Sequence, residues 1–274
     1  MPERPVQNTE EQSPTVNVET SRRTVHEILV EASENGRQEL ERTTKALVFS
    51  GVAGGITMGL TGMSVAIALA TLGEGPFRMF LAYLLYPVGF IAVIIGRAQL
   101  FTENTLYPVV LVLTDQKYTI RTLRLWAIVL ASNVFGAALF AGLAVRTGAL
   151  RPEFSHQLTL LGVESSAGTM ATIFWSGIIG GWLIALVAWM VSASHWTIGQ
   201  IAVVWLLTYV VGLGHFAHCI AASGEILAAM FAGPITFRDY LHWFLPALGG
   251  NIVGGVFIVS LLNWGQVKAG EEKG

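Results

Sequence analysis

The sequence predicts an all-α membrane protein with six transmembrane spans, arranged as an inverted repeat of three plus three with a broken helix in each half. The chain is 53% hydrophobic and 12% charged, and its mean hydropathy is +0.59, values far from those of a soluble domain. The motif Ser50–Gly55 (SGVAGG) recurs at Ser176–Gly181 (SGIIGG), and Asn133 in an apolar run recurs as Asn251. The chain is therefore expected to be a duplicated membrane domain.

Six apolar segments reach the length of about 20 residues that a membrane-spanning helix needs. They lie at about 45–70, 80–113, 125–146, 169–193, 198–232 and 242–264. Because the second and fifth are too long for one straight span, each is predicted to be two half-helices that meet at a kink. Broken helices at corresponding places in two repeats indicate a transport pathway.

The chain is predicted to have three parts. Residues 1–44 form a polar tail without a signal peptide, since no apolar run precedes Ala46. Its residues 25–44 match an amphipathic helix, either at the membrane surface or pore mouth, or solvated and leading into the first span. The membrane domain covers 45–264, with repeat 1 at about 45–146 and repeat 2 at about 169–264, and residues 265–274 form a second tail.

Basic residues set the expected orientation. The connection before the third span carries Lys117, Arg121 and Arg124, which outnumber Arg146 and Arg151 in the connection after it. The segment before the first span carries further arginines. The positive-inside rule then places both termini in the cytoplasm, in a multi-pass protein of the inner (plasma) membrane. Three spans per half is an odd number, so the second half enters from the opposite side.

The sequence lacks the motifs of other function classes. The single Cys219 excludes an internal disulfide, and His215 with His218 is too small a set for a closed metal site. We find no hydrolase or zinc-protease motif and no basic patch with interleaved aromatic residues. The prediction is a non-enzymatic protein without cofactor, metal or nucleic-acid partner.

Some recurring residues have a structural interpretation. Gly177 and Gly181 are four residues apart, a spacing that lets helix backbones approach closely in lipid. Asn133 and Asn251 are expected to form hydrogen bonds between helices near the breaks, because an unpaired amide in hydrocarbon is costly.

Three charged residues fall inside the predicted spans, namely Arg97, Glu103 and Glu225. Unpaired, each would cost roughly 2.5–3.5 kcal/mol on insertion scales. We expect Arg97 to pair with Glu103 or Glu225 and join the half-helices. The alternative is that Arg97 faces the pathway and attracts substrate.

Four stretches together carry a family resemblance. They are Leu100-Phe101-Thr102 after Gly96, the stretch from Gly177 to Trp189, the stretch from Phe216 to Ala221, and the stretch from Pro246 to Gly255. In this order, over about residues 45–264, they resemble the formate/nitrite transporter family. The resemblance implies a homopentamer in the lipid bilayer, in which each protomer has its own aquaporin-like pore for small monovalent anions such as formate, nitrite or hydrosulfide.

The resemblance also implies the residues of the pore. His218 is similar to the family's central histidine, and Thr102 to the threonine that faces it. The apolar constrictions on either side would be formed by Leu100, Phe101, Tyr86, Phe90 and Val211.

Several positions depart from the family pattern. Ala217 stands where the family commonly has Glu before the central histidine, and Ala222 where it has Asn. Gly181 stands where the family has an Asn in the fourth span. A lysine that is common near the entrance of that span has no counterpart around Glu164 and Ser165. The fold is expected to transfer more directly than the substrate.

The primary hypothesis is a channel or transporter for a small monovalent anion or its conjugate acid. A bare anion would have to cross two apolar rings, so protonation near His218 and Thr102 would lower the cost and link flux to pH. One alternative is an aquaporin-like pore for neutral solutes. Another is a non-transporting assembly or regulatory protein that acts through residues 1–44.

Overall fold

The computed structural model describes residues 22–271, and the elements in this range are helical, without a strand. The α-helices are α1 Val25–Glu41, α2 Thr44–Thr71, α3 Arg78–Tyr83, α4 Pro87–Ile95, α5 Tyr107–Thr114, α6 Thr119–Arg146, α7 Pro152–Ser165, α8 Met170–Ala193, α9 Thr197–Leu213, α10 Ala221–Ala232, α11 Phe237–Val253 and α12 Leu262–Glu271. Short 3₁₀ turns cover Glu103–Thr105 and Gln116–Tyr118, and a π-helical segment, Gly254–Leu261, joins α11 to α12. The predictions made for residues 1–21 and 272–274 lie outside the described residues.

The structure is that of a multi-pass membrane protein. Five helical runs are long and apolar enough to cross a membrane: Thr44–Thr71, Arg78–Ile95, Gln116–Arg146, Met170–Ala193 and Phe237–Glu271. Two shorter apolar helices, α9 and α10, occupy the predicted fifth segment. Helical structure is interrupted between α4 and α5 and again between α9 and α10, inside the two segments that are too long for one straight span.

The two halves use the same close helix packing. Gly55 of α2 lies against the backbone of Asn133 in α6, and Gly181 of α8 lies against the backbone of Asn251 in α11. Gly177 also faces α11, where a side-chain Cβ would come within 2.9 Å of the Ala247 carbonyl oxygen. These small residues let the helix backbones touch, which is how helices associate where burial from water provides no driving force.

Helix α7 differs from the prediction, in which residues 147–168 only connect the two halves. Leu158 and Leu161 are buried, and Gly162 touches the backbone carbonyl of Glu225 in α10. The segment is too polar to resemble a span, so its helix depends on a tertiary contact that periodicity does not reveal. Helix α7 therefore lies beside α10.

Helix α1 is docked onto the membrane domain. Thr24 caps it, and hydrogen bonds from the Thr24 backbone N–H and hydroxyl to the Glu27 carboxylate lower the pKa of Glu27 below its usual value. Arg23 forms an ion pair with Glu31 at 3.2 Å and donates a hydrogen bond to the carbonyl of Ser192 at the end of α8. This end of α1 is therefore held against α8.

The two ends of the described chain lie on the same side of the molecule. Helix α1 contacts α12, and His26 Nε2 lies 3.7 Å from a carboxylate oxygen of Glu271. This arrangement fits an even number of membrane crossings between them.

Topology reporters provide a test of the inverted repeat. We expect reporter fusions after Gln116 and after Gly274 to read cytoplasmic, and a fusion after Arg151 to read external, because α6 separates Gln116 from Arg151. A cytoplasmic signal from the Arg151 fusion would contradict the arrangement of three spans per half.

Candidate functional site

The site is built from the two breaks in the helices. The first follows α4 and the second follows α9. Both begin with a non-glycine residue in left-handed backbone conformation, Arg97 at φ 58° and His215 at φ 50°. This conformation cannot continue a right-handed helix, so the chain leaves the helix at corresponding points of the two halves.

Asn133 holds the first break in place. Its Nδ2 donates to the carbonyls of Gly51 and Gln99, each at 2.8 Å, and its Oδ1 accepts from the Phe101 N–H at 2.9 Å. One buried amide thus links α6, α2 and the irregular backbone.

Asn251 makes the same set of bonds in the second half. Its Nδ2 donates to the carbonyls of Gly177 and Ala217, each at 2.8 Å, and its Oδ1 accepts from the Cys219 N–H at 2.9 Å. The asparagines therefore satisfy backbone groups that would otherwise be unpaired in hydrocarbon.

Two serines complete the fixation of the breaks. Ser50 accepts a hydrogen bond from the Gln99 N–H at 3.1 Å, and Ser176 accepts one from the Ala217 N–H at 3.0 Å. These serines open the two repeated glycine motifs, so each motif supplies both a close-packing surface and an anchor for a break.

The centre of the site is a hydrogen-bonded pair of buried side chains. His218 Nε2 lies 2.8 Å from Thr102 Oγ1, and both residues have no exposed surface. His218 Nδ1 accepts the Ala221 N–H at 3.0 Å. Because Nδ1 accepts, Nε2 carries the proton in the neutral ring and donates to Thr102. The bonds define His218 as a hydrogen-bond donor toward Thr102.

Apolar side chains surround this pair. The Phe90 ring meets the His218 imidazole edge to face, with ring centroids 5.1 Å apart. Leu100, Phe101 and Val211 are buried in the same hydrophobic cluster as Phe90, and the Phe101 ring packs edge-on against Trp126 of α6. The His218 ring therefore packs against a cluster of buried apolar side chains.

A first cavity, here named the α7-side cavity, has a volume of about 230 Å³. Its lining includes Tyr86 and Val211, two buried residues of the predicted apolar constrictions. Further lining residues are Tyr83, Glu164, Ser165, His215, Phe216 and Glu225.

A second cavity, named the α1-side cavity, has a volume of about 60 Å³. Its lining includes Leu100, a buried residue of the predicted apolar constrictions, and Asn35 and Glu39 of α1. Arg97, Glu103 and Gln200 also line it. The central pair therefore lies between two cavities that have polar walls.

The expected charge pairs are absent. Within residues 22–271, Arg97 has no carboxylate oxygen within 4.0 Å. Glu225 lines the α7-side cavity and accepts a hydrogen bond from Ser165 at 2.9 Å, whereas Arg97 lines the α1-side cavity with Glu103. The pairing of Arg97 with Glu225 was wrong because the two breaks open toward different cavities, and the Arg97–Glu103 pair does not form although both side chains share a cavity.

Sequence reasoning also missed cavity residues outside the predicted spans. Glu39 was assigned only to an amphipathic helix, and Glu164 belongs to the unpredicted α7. The amphipathic pattern of α1 was an available signal for Glu39, whereas the signal for Glu164 was the family resemblance, which implies the entrance of the fourth span near this residue. Across residues 22–271 no group of three or more His, Cys, Asp or Glu residues could hold a metal ion.

The fold and the site define a class of protein. A multi-pass helical chain with two interrupted helices and a buried polar pair between cavities is a membrane transporter or channel. A family model described as formate/nitrite transporter matches residues 26–265, and the chain belongs to that family.

Individual relatives agree with this assignment. The chain is 35% identical over 240 residues to inner membrane protein YfdC of Escherichia coli (strain K12), covering 86% of this chain and 76% of that protein. A solved structure described as an FNT family ion channel has a TM-score of 0.78 at 18% identity, covering 88% of this chain and 99% of the other. A pentameric formate channel with formate bound has a TM-score of 0.70 at 20% identity, covering 82% and 99%. At these identities the two structures show a common fold.

Proposed function

We propose that the protein is a channel or transporter for a small monovalent anion or its conjugate acid, of the formate, nitrite and hydrosulfide class, which crosses with a proton past His218. The observation that carries this proposal is the buried bond between His218 and Thr102, located between two cavities.

The apolar surroundings favour the uncharged form of such a substrate. An anion passing Phe90, Leu100 and Val211 would lose its hydration without gaining a counter-charge, which costs several kcal/mol or more. A conjugate acid avoids this cost because it is neutral. Transfer of the acid from one side to the other moves one proton with each anion.

The central pair can accompany a neutral acid. The His218 Nε2–H points at Thr102, and the Thr102 hydroxyl is both a donor and an acceptor. An acid at this point can accept from the imidazole and exchange a hydrogen bond with the hydroxyl. In this proposal Tyr86, Phe90 and Val211 form the apolar constriction toward the α7-side cavity, and Leu100 and Phe101 form the one toward the α1-side cavity.

The assembly and placement of the protein are part of the proposal. Residues 45–264 form the transport domain, a cytoplasmic tail lies at either end, and the protein assembles as a homopentamer in the inner membrane. The support is the fold shared with a pentameric formate channel and the similarity to an inner membrane protein.

Substitution of Thr102 tests the role of the central pair. We expect Thr102→Val to reduce formate or nitrite uptake into proteoliposomes about tenfold, because valine keeps the shape and removes a hydrogen bond worth about 1 kcal/mol or more. Thr102→Ser keeps the hydroxyl and is the matched control, with uptake close to wild type. Equal uptake by the valine and serine variants would argue against a role of the His218–Thr102 hydrogen bond in transport.

A neutral-solute pore is a second candidate. The residues that line the α7-side cavity include no lysine or arginine that would attract an anion. Uptake assays with glycerol and water beside formate and nitrite separate the two functions. Rapid glycerol or water flux without acid uptake would favour this candidate.

A further inference from the structure

Each of the two cavities contains a buried carboxyl group that takes no part in the passage of an acid past His218 and Thr102. Glu225 lines the α7-side cavity and is 6% exposed, and Glu103 lines the α1-side cavity and is 9% exposed. Buried ionisable residues at membrane depth usually mark ion pathways or proton relays. Their position on either side of the central pair requires an explanation.

Glu225 has no cationic partner in the part of the chain that the structure describes. Its Oε2 accepts from Ser165, and the titratable residues around it are Glu164 of α7, Tyr83 of α3, Tyr86 and His215. None of these is a permanent cation. The second carboxyl group nearby, that of Glu164, would repel a Glu225 carboxylate and cannot serve as its ion-pair partner.

The Glu103 side chain has fewer polar contacts than the Glu225 side chain. Its side chain makes no hydrogen bond and no ion pair with any of the residues 22–271. The charged or titratable residues around it are Glu39 of α1, Arg97 and Tyr107. Glu39 is itself paired with Arg42 at 3.1 Å. The Glu103 carboxyl group is therefore free to interact with a small solute in the cavity.

His218 is poorly arranged to supply the proton in this conformation. Its Nδ1 is occupied by the Ala221 N–H, so accepting a second proton would break that bond and create a charge among apolar side chains. A proton carrier is needed where the substrate is still in a polar cavity. Carboxyl groups are common general acids and bases for this task.

We propose that Glu225 and Glu103 are the proton-exchange residues of the pathway, one in each cavity. This inference rests on the proposed function and names the groups that convert the anion to the acid. An entering anion takes the proton of a neutral Glu225 carboxyl group, which yields the uncharged acid and a Glu225 carboxylate. The acid passes His218 and Thr102 and returns its proton to a Glu103 carboxylate on the other side.

Both steps balance without a further reactant. The O–H bond of one carboxyl group breaks as the O–H bond of the acid forms, and the reverse occurs at the second cavity. Water in the α7-side cavity then delivers a proton to Glu225, and Glu103 releases one to water on its own side. One proton and one anion have crossed, and direction depends only on the gradients.

The test is the pH profile of uptake by the full-length protein in proteoliposomes. Sodium formate and sodium nitrite are the probes, and an entrapped pH-sensitive dye reports entry between external pH 5 and 8. Above the pKa of an acid, its uncharged fraction falls about tenfold per pH unit. Wild-type uptake is expected to fall less steeply, because the protein protonates the anion itself.

The variant Glu103→Gln/Glu225→Gln keeps side-chain size and removes both exchangeable protons. We expect its uptake at pH 5 to stay within about twofold of wild type, since bulk water supplies the acid, and its uptake at pH 7.5 to drop at least tenfold. Loss of both groups makes the result independent of protein orientation in the vesicle. Glu34→Gln on α1 and Glu153→Gln on α7 are matched controls, because neither residue lines the α7-side cavity or the α1-side cavity.

Parallel pH profiles for wild type and the double variant would overturn the proposal. A wild-type profile that follows the uncharged fraction tenfold per unit would also overturn it, and this outcome needs no variant to fold. The single variants Glu225→Gln and Glu103→Gln provide the comparison if the double variant does not assemble. Absence of wild-type uptake for both acids is a different outcome, since it contradicts the proposed function itself.

Discussion

His218→Phe is expected to lower uptake of formate or nitrite by roughly ten- to a hundredfold while leaving the oligomer intact. Phenylalanine has a similar shape but lacks the Nε2–H donor to Thr102 and the Nδ1 acceptor for the Ala221 N–H. An acid in transit then has one polar partner fewer, and an unmet hydrogen bond in a buried site costs about 1–3 kcal/mol. Dye-based uptake and size-exclusion profiles measure the two effects separately.

His215 offers the matched control for this substitution. It lies in the α7-side cavity, away from the central bond, and has a left-handed backbone at φ 50°. Asparagine tolerates that conformation, so His215→Asn should have a much smaller effect on uptake. Unchanged pH-dependent uptake in His218→Phe would contradict the assigned role of His218.

Asn251→Leu is expected to have the largest effect on folding. It removes three hydrogen bonds and leaves the Cys219 N–H and the carbonyls of Gly177 and Ala217 without their partner. Buried groups left unsatisfied cost about 1–3 kcal/mol each, so we expect a loss of at least about 2 kcal/mol in stability. Thermal unfolding of the detergent-solubilised protein, followed by the loss of the oligomer peak, measures the change.

Asn263→Leu is the control for the asparagine prediction. Asn263 is partly exposed and donates one hydrogen bond to the carbonyl of Val259. We expect a much smaller shift in the unfolding midpoint. Equal midpoints for the two leucine variants would show that the three-bond link at Asn251 does not stabilise the second break.

The all-helical class and the two interrupted segments could be predicted because they depend on local composition. The recurrence of Asn133 as Asn251 marks residues that each make two hydrogen bonds to the backbone of a break and one to a carbonyl of a neighbouring helix. Apolar length and repeated motifs are properties of the chain alone. The family assignment followed from the same stretches.

Side-chain pairing and cavity walls could not be predicted in this way. Whether Arg97 meets Glu103 or Glu225 depends on which cavity each break faces, and that is decided by the tertiary structure. Helix α7 brings Glu164 and Ser165 to Glu225 from a segment whose composition gave no membrane signal. Similarly, Glu39 reaches the α1-side cavity only because α1 docks onto the membrane domain.

Proton-linked uptake of small acids by the purified protein tests the central claim most directly. Wild-type proteoliposomes loaded with a pH-sensitive dye are exposed to an inward gradient of formate or nitrite, beside protein-free and His218→Phe vesicles. The account predicts that the wild-type lumen acidifies much faster than in either control. Acidification by wild type no faster than in protein-free vesicles, for both acids, would contradict it.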